Sequence, residues 1–145
     1  KYMINDNFTI ISNYTFSNFE FDYFIDDTND FSGNSIPGFP ENIFFTEFLY
    51  KNNSFFSSID FQYVDKIFIT NNNAVSTDKY FLSNMRMGFE YKIDNFTISS
   101  FFGINNLFNQ DYNSNLRINA FGARYYEPAP RRATYLGISV TSLLQ

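Results

Sequence analysis

The sequence predicts an all-β fold of antiparallel up-and-down strands. Three observations favour this fold class. Aromatic residues make up 22% of the 145 residues, and Phe and Tyr fit best on the pleated surface of a sheet. Apolar and polar residues alternate with a period of two in six segments, as in strands that present two different faces. The connections between these segments are alternately short and long.

The first two segments show the alternation with interruptions. In the first segment, four apolar side chains face away from polar ones until the phase slips near Asn18 and Phe19, where we expect a bulge or the rim of the sheet. The second segment, residues 42–51, is less regular because Glu47 interrupts one face. The apolar faces of these segments are Phe8, Ile10, Tyr14 and Phe16 in the first, and Phe44, Phe48 and Tyr50 in the second.

The other four segments alternate more clearly and span residues 55–70, 81–92, 96–105 and 134–144. In residues 81–92, five apolar side chains lie opposite five polar ones, a separation that no helix would produce. The apolar faces are Ile59, Phe61 and Tyr63; then Phe81, Met85, Met87, Phe89 and Tyr91; then Phe96, Ile98, Phe102 and Ile104; and finally Leu136, Ile138, Val140 and Leu144.

The lengths of the connections indicate the kind of sheet. Two are tight and rich in turn-forming residues, at residues 52–54 and 94–95. The other three are long, at residues 26–41, 71–79 and 109–132. A transmembrane barrel has this asymmetry, with periplasmic turns at one rim and extracellular loops at the other. The fold class is therefore predicted to be about six strands of a large transmembrane β-barrel.

Charge predicts which face of each strand meets lipid. The polar faces carry ionisable groups that belong in a wet lumen, because a Lys or Arg on the lipid side costs roughly 2–4 kcal/mol at the midplane. These groups are Asp60, Arg86, Glu90 and Lys92. Four tyrosines near strand ends are predicted to form an aromatic girdle at the membrane interface. They are Tyr50, Tyr63, Tyr80 and Tyr91.

Composition excludes several classes of function. The chain has no Cys and no His, so thiolate and histidine metal sites and the usual catalytic triads lack their residues. The net charge of -5 argues against a nucleic-acid interface. No apolar run is long enough for a transmembrane helix. We therefore expect neither an enzyme nor a resident metal or cofactor. Residues 1–5 do not form a signal peptide, so either the signal was removed or the chain is part of a longer protein.

The last third of the chain contains motifs in a distinctive order. Asn106-Leu107-Phe108 is followed by Asp111-Tyr112, then by the run Arg-Tyr-Tyr-Glu-Pro-Ala-Pro at residues 124–130, and then by Tyr135, Gly137 and Ser139. Upstream, residues 33–40 contain a Pro-Gly-x-Pro element. Together the motifs resemble the closing hairpin and an earlier strand entry of TonB-dependent outer-membrane receptors of the ferric-siderophore type. Two positions depart from that family: Arg131 replaces a usual Gly, and the chain ends Leu143-Leu144-Gln145 without the usual terminal aromatic.

The resemblance implies a fold, a location and partners. Residues 1–145 would be the C-terminal segment of a barrel of about 22 strands, without its plug domain. The location would be the bacterial outer membrane, and the function uptake of a scarce nutrient such as a ferric siderophore or a similar metal chelate. The implied partners are a TonB-type energy transducer acting through the plug, outer-membrane lipid and lipopolysaccharide, the barrel-assembly machinery and the metal chelate.

The last long connection contains the candidate ligand-binding residues. Guanidinium groups suit carboxylates and phosphates, so its arginines can attract an anionic chelate or lipopolysaccharide phosphates, and two tyrosines can contact ligand. The alternative is ordinary solvated charge and loop packing. The candidates are Arg117, Arg124, Tyr125, Tyr126, Arg131 and Arg132. An acidic stretch around residues 20–30 can attract Ca²⁺, but its spacing matches no calcium motif.

A second class of function fits the same composition. A soluble extracellular β-sandwich, serving as an adhesin or carbohydrate-binding module, would bury the aromatic faces in a core between two sheets. A monodisperse, cooperatively melting monomer in the absence of detergent would favour the sandwich, and aggregation that detergent reverses would favour the barrel.

Overall fold

The structure is a computed structural model that describes residues 1–142, and almost all of its regular structure is β. Among these residues, no helix has the length and apolar character needed to cross a membrane, and the helical structure is one 3-10 turn at Phe121–Ala123. The strands are β1 (Tyr2–Met3), β2 (Phe8–Phe16), β3 (Ile25–Asp26), β4 (Asn29–Asp30), β5 (Asn42–Asn52), β6 (Phe55–Val64), β7 (Tyr80–Ile93), β8 (Phe96–Asn105), β9 (Asn113–Leu116), β10 (Tyr126–Pro128) and β11 (Ala133–Ser142).

Seven of these strands form one antiparallel sheet in the order β1-β2-β5-β6-β7-β8-β11. Each strand of this sheet pairs with the preceding sheet strand along the chain, which makes an up-and-down meander. The remaining strands form two short hairpins, β3-β4 and β9-β10, inside long loops. The predicted all-β, antiparallel, up-and-down fold with six long strands is confirmed.

Tight turns join the strands at one rim of the sheet. Asn53 and Asp94 adopt positive φ angles of 28° and 51° at the two predicted turns, a conformation that Asn and Asp tolerate well. The sequence analysis missed a third turn, residues 4–7, where the Asn5 side-chain oxygen accepts hydrogen bonds from the backbone of Asn7 and Phe8. Loops 17–41, 65–79 and 106–132 lie at the opposite rim, which we call the long-loop rim.

Some predicted boundaries are wrong. The third segment was expected to reach residue 70, but β6 ends at Val64. The chain then folds back on itself, because Thr77 donates to the Ile67 carbonyl and Ile69 donates to the Val75 carbonyl. The phase slip near Asn18 is the rim, since β2 ends at Phe16. For the last strand, the predicted Leu144 lies outside the described residues.

The charged residues of the six long strands all lie on one face of the sheet. The register places Glu47 opposite Asp60, and Arg86 opposite Ser58 and Gly103, with all of these side chains on the same side. The other face carries no charge along any of these strands. We call the two sides the charged face and the apolar face. The charged face carries Glu47, Lys51, Asp60, Arg86, Glu90 and Lys92.

Neither face is covered by a second sheet in the part of the chain that the structure describes. Large apolar side chains on the apolar face are exposed, with Leu136 and Ile138 more than 70% accessible. The buried apolar residues are Val64, Ile69 and Leu82. Two of these lie at strand ends near the long-loop rim, and Ile69 lies in a loop. A β-sandwich core is therefore absent from the described residues, and the sandwich alternative does not match this architecture.

Aromatic rings link neighbouring strands across the apolar face. One chain of contacts runs through Phe48, Phe61, Phe81 and Phe108, with centroid distances of 5.7 to 6.5 Å. A second runs through Phe8, Tyr50, Phe55, Phe89 and Tyr91, with distances of 4.6 to 6.4 Å. Such cross-strand pairs each contribute up to about 1 kcal/mol.

One of the predicted girdle tyrosines is on the wrong face. Tyr50, Tyr63 and Tyr91 lie on the apolar face, as expected. Tyr80 pairs directly with Val64 and therefore lies on the charged face. There its ring packs against Tyr112 with a centroid distance of 5.2 Å. The girdle prediction is wrong for Tyr80, because position near a strand end does not determine the face.

Three aromatic rings of the charged face cover glycines directly across from them. Phe56 lies opposite Gly88, Tyr135 opposite Gly103, and Phe101 opposite Gly137. A Cβ atom added to any of these glycines would overlap the facing ring. The Arg86 guanidinium lies 4.2 Å from the centroid of the Phe101 ring and 5.7 Å from that of Phe56. The glycines thus let the rings lie flat on the sheet.

This packing predicts the effect of filling one of these gaps. Gly137→Ala is expected to destabilise the full-length protein by about 1–3 kcal/mol, because the Phe101 ring has to move. In the double variant Gly137→Ala/Phe101→Leu the clashing ring atoms are absent. The double variant should therefore lose less unfolding free energy than the sum of the losses in the two single variants. Urea unfolding in detergent micelles measures both. Ser139→Ala, on the same strand and face, is the control and is expected to change stability by less than about 0.5 kcal/mol. A double variant whose loss of stability equals that sum would contradict the packing of the Phe101 ring on Gly137.

Candidate functional site

The three long loops are joined into one layer at the long-loop rim. Ile69, from the second loop, is fully buried. Its carbonyl accepts a hydrogen bond from Asn119 of the third loop. Gly38 of the first loop donates to Phe68, and a Cβ on Gly38 would lie 3.5 Å from Ile118. All three loops therefore meet around Ile69.

Asparagine side chains form most of the polar contacts between these loops. Asn73 donates to the Ser35 carbonyl and accepts from the Ser35 N–H, at 2.8 Å in both cases. Asn34 donates to the Asn71 carbonyl, while the side chains of Asn71 and Asn119 are joined at 2.8 Å. An amide that both donates and accepts can satisfy two backbone groups of a neighbouring loop. The loop layer is thus held by specific hydrogen bonds.

The hairpin β9-β10 projects from the third loop. Glu127 accepts hydrogen bonds from the side chains of Asn115 at 3.1 Å and Arg117 at 2.8 Å. These hydrogen bonds, together with the charge of Arg117, hold the pKa of the Glu127 carboxyl below its ordinary value. Tyr126 donates its hydroxyl proton to the Ser76 carbonyl at 3.0 Å, which ties the hairpin to the second loop.

The lowered pKa of Glu127 predicts how the hairpin responds to acid. A carboxyl with a depressed pKa contributes stability above its unfolded-state value and loses it as the pH falls through the folded-state pKa. We therefore expect hydrogen exchange of the β9-β10 amides to be constant near neutral pH, after correction for intrinsic rates, and to accelerate below about pH 4. Glu127→Gln should remove this acid dependence. A hairpin whose protection is unchanged down to pH 2 in the unsubstituted protein would contradict this role.

The structure does not bring the four predicted arginines together, and they lie in three separate parts of the third loop. Arg117 pairs with Glu127 on the hairpin, and Arg131 pairs with Asp111 at 3.0 Å at the base of the loop. Arg124 follows the 3-10 turn at the hairpin tip, next to the fully exposed Phe121. Arg132 donates its backbone N–H to Asn109. Within residues 1–142, Arg124 and Arg132 form no ion pair. The two predicted tyrosines, Tyr125 and Tyr126, contact each other edge to face.

A cleft of about 350 Å³ lies between the second and third loops, where β7 begins. Tyr80 and Tyr112 provide aromatic rings, and Ile67 and Leu116 provide apolar walls. The ionisable side chains that line it are two carboxylates, Asp78 and Asp111, besides the tyrosine phenols. Its volume falls in the usual range for small-molecule sites. The sequence analysis missed this cleft, because its walls come from segments more than 30 residues apart.

Comparison with known proteins shows which fold contains this site. No family model matches the chain. Among solved structures, it is similar to the siderophore receptor PiuA from Acinetobacter baumannii, with 19% identity over 94% of this chain and 20% of that one, and a TM-score of 0.76. It is also similar to the ferric citrate transporter FecA, with 20% identity over 94% and 21% and a TM-score of 0.78. For the ferric-catecholate import receptor Fiu from E. coli K12, identity is 18% over 97% and 19%, with a TM-score of 0.70.

The sheet has the fold of part of a siderophore-receptor barrel. The resemblance inferred from the motifs is thus confirmed as a likeness of fold, and the chain spans about a fifth of the length of the structures it matches. In this fold the motifs occupy defined places. Asn106, immediately after β8, accepts from the Gln110 N–H and donates to its carbonyl, which closes the strand end. The Pro37-Gly38 element precedes β5, and Gly38 has a φ of 94°.

Among residues 1–142, no group of three His, Cys, Asp or Glu side chains lies close enough together to hold a metal ion. The acidic stretch of the first loop includes the hairpin β3-β4. There the Ser32 side chain and backbone N–H hydrogen-bond to Asp30 and lower the pKa of its carboxyl.

Proposed function

We propose that this chain is a C-terminal wall segment of an outer-membrane receptor that takes up a scarce nutrient as a metal chelate, such as a ferric siderophore. The single observation that carries the proposal is the segregation of charge on an uncovered sheet. All six charged residues of the long strands share one face, and most of the exposed large apolar side chains occupy the other. A wall between lipid and a wet lumen needs this arrangement, and a soluble sandwich would bury one face instead.

The rim asymmetry supports an orientation in the outer membrane. We place the tight turns, at residues 4–7, 53–54 and 94–95, on the periplasmic side and the loop layer outside the cell. In this orientation the cleft at Tyr80 opens above the charged face, where a ligand arriving from outside would first meet the protein. In the described residues, the sheet has two edge strands, β1 and β11. Closure in lipid requires further strands, because an unpaired backbone group there costs several kcal/mol.

The proposed partners follow from the same orientation. A TonB-type energy transducer would act through a plug that fills the lumen, and the barrel-assembly machinery would insert the barrel. Arg124 and Arg132 are exposed at the outer rim, so we assign them to lipopolysaccharide phosphates, which guanidinium groups recognise well. In the same proposal the protein is a carrier and catalyses no reaction.

Uptake in cells tests the proposal. A strain lacking the complete gene should lose uptake of at least one ⁵⁵Fe-labelled chelate, and the plasmid-borne gene should restore it. Restoration should fail in a strain without the TonB-type transducer. The same gene should encode a plug upstream of these strands. Recovery of the full-length protein in the soluble fraction, or an uninterrupted upstream reading frame without a plug, would contradict the proposed function.

A further inference from the structure

The walls of the cleft between the second and third loops combine aromatic rings with negative charge. The Tyr80 and Tyr112 rings lie 5.2 Å apart and tilted by 37°, so the cleft has an aromatic wall. Asp78 lies beside them and forms no hydrogen bond or ion pair within residues 1–142. Asp111, the other carboxylate, forms an exposed ion pair with Arg131. The cleft therefore offers one free negative charge next to two aromatic rings.

No cation near this cleft is among its lining residues, and Arg131 reaches it only through the ion pair with Asp111. Lys79 follows Asp78 in the chain, directly before β7 begins at Tyr80, and is not among the residues that line the cleft. The Asn42 amide donates a hydrogen bond to Asp65 and holds the pKa of that carboxyl below its ordinary value, with a smaller contribution from the Lys79 charge. Lys66 lies over the Phe68 ring, 4.7 Å from its centroid. The cleft has no Lys or Arg in its walls.

The three long loops together carry a net negative charge, and this charge comes from the first loop. The first loop, residues 17–41, contains six carboxylates and no Lys or Arg. The second has two of each sign, and the third has four arginines and two acids. The net charge of the layer is therefore -4. A negative field of this kind concentrates cations and repels anions on approach, with an effect that weakens as salt is added.

We propose that this cleft binds an organic cation, and that the chelate taken up carries an ammonium or guanidinium group and has a net charge of zero or above. The inference rests on the proposed function and specifies its substrate class. The carboxylate of Asp78 would pair with the cationic group, and the faces of Tyr80 and Tyr112 would stabilise it through their π electrons. Ile67 and Leu116 would contact the apolar part of the ligand. An anionic chelate in the cleft would be repelled by the Asp78 carboxylate.

Binding of three chelates to the full-length receptor in detergent tests this inference. The probes are a ferric trihydroxamate with one free ammonium group, the same chelate with that amine acetylated, and ferric citrate. We expect titration calorimetry at low salt to give a Kd for the ammonium chelate at least about tenfold lower than for the other two. Raising the salt to 0.5 M should reduce this preference.

Variants locate the preference in the cleft. Asp78→Asn should weaken binding of the ammonium chelate by about tenfold and Tyr112→Leu by about fivefold, and neither should change binding of the acetylated chelate by more than about twofold. Asp22→Asn removes the same charge from the first loop, away from the cleft, and should have less than about a twofold effect.

Other binding results would contradict either the organic-cation site alone or both this inference and the proposed receptor function. Equal binding of the ammonium and acetylated chelates, a preference for ferric citrate, or full binding by Asp78→Asn would overturn the organic-cation site and leave the receptor function standing. Failure of the unsubstituted receptor to bind any of the three, together with failure of the cellular uptake experiment, would overturn both proposals.

Discussion

Ile138→Arg is expected to destabilise the membrane-inserted protein by about 2–4 kcal/mol. Ile138 lies at the centre of β11, on the apolar face, and 71% of it is accessible. Because it has little packing to lose within the chain, a charged replacement in water would cost almost nothing. The predicted cost comes from placing a guanidinium among acyl chains. Reversible urea unfolding in phospholipid bilayers measures it.

The neighbouring residue provides a matched control for this prediction. Ser139 is one position further along the same strand and lies on the charged face, opposite Ser99. Ser139→Arg should therefore cost less than about 1 kcal/mol, because its side chain enters a wet lumen. Equal costs for the two variants would show that the two faces meet the same solvent, and would contradict the barrel orientation.

Ile69→Ala is expected to cost about 2–4 kcal/mol and to loosen the whole loop layer. The Ile69 side chain is fully buried where the three loops meet. Its truncation leaves a cavity beside the backbone hydrogen bonds that join Ile69 to Val75 and Asn119. Limited proteolysis of the full-length protein should therefore cut loops 17–41, 65–79 and 106–132 faster, while the strands stay protected.

Two further variants test whether the effect of Ile69→Ala comes from the buried volume that this side chain fills. Ile69→Val keeps most of the volume and should cost about 0.5–1.5 kcal/mol. Ile118→Ala, in the third loop, removes a side chain that is 40% exposed and should have a smaller effect than Ile69→Ala. Unchanged proteolysis of Ile69→Ala would show that the loops are independent of one another.

The sequence predicted the sheet well because alternation is a local signal. From Met85 to Lys92 apolar residues occupy every second position and Arg, Gly, Glu and Lys occupy the others, so the face of each side chain follows from its position. The tight turns at Asn53 and Asp94 were found for a similar reason, since two or three residues determine them. The turn at residues 4–7 was missed because β1 has only two residues, too few to show any alternation.

The loop layer and the cleft depend on contacts that no local pattern encodes. Ile67 and Ile69 continue the apolar alternation of β6, so they were assigned to that strand, yet they fold back to pair with Thr77 and Val75. Tyr112 reaches Tyr80 across 32 residues. The arginines were found by composition, but their pairing with Glu127 and Asp111 required the hairpin geometry. Frequent Asn in the loops was the available signal, since Asn73, Asn106 and Asn119 all adopt positive φ.

A spin-label scan along β11 tests the central claim most directly. Residues 1–145 contain no cysteine, so single cysteines for nitroxides can be introduced at residues 133–142 of a full-length protein in bilayers from which any other cysteine has been removed. The account predicts that collision with oxygen, which partitions into lipid, peaks at Thr134, Leu136, Ile138 and Val140. Collision with a water-soluble nickel chelate should peak at the intervening positions. If the two profiles rise and fall together, the apolar face does not contact lipid and the barrel-wall account is wrong.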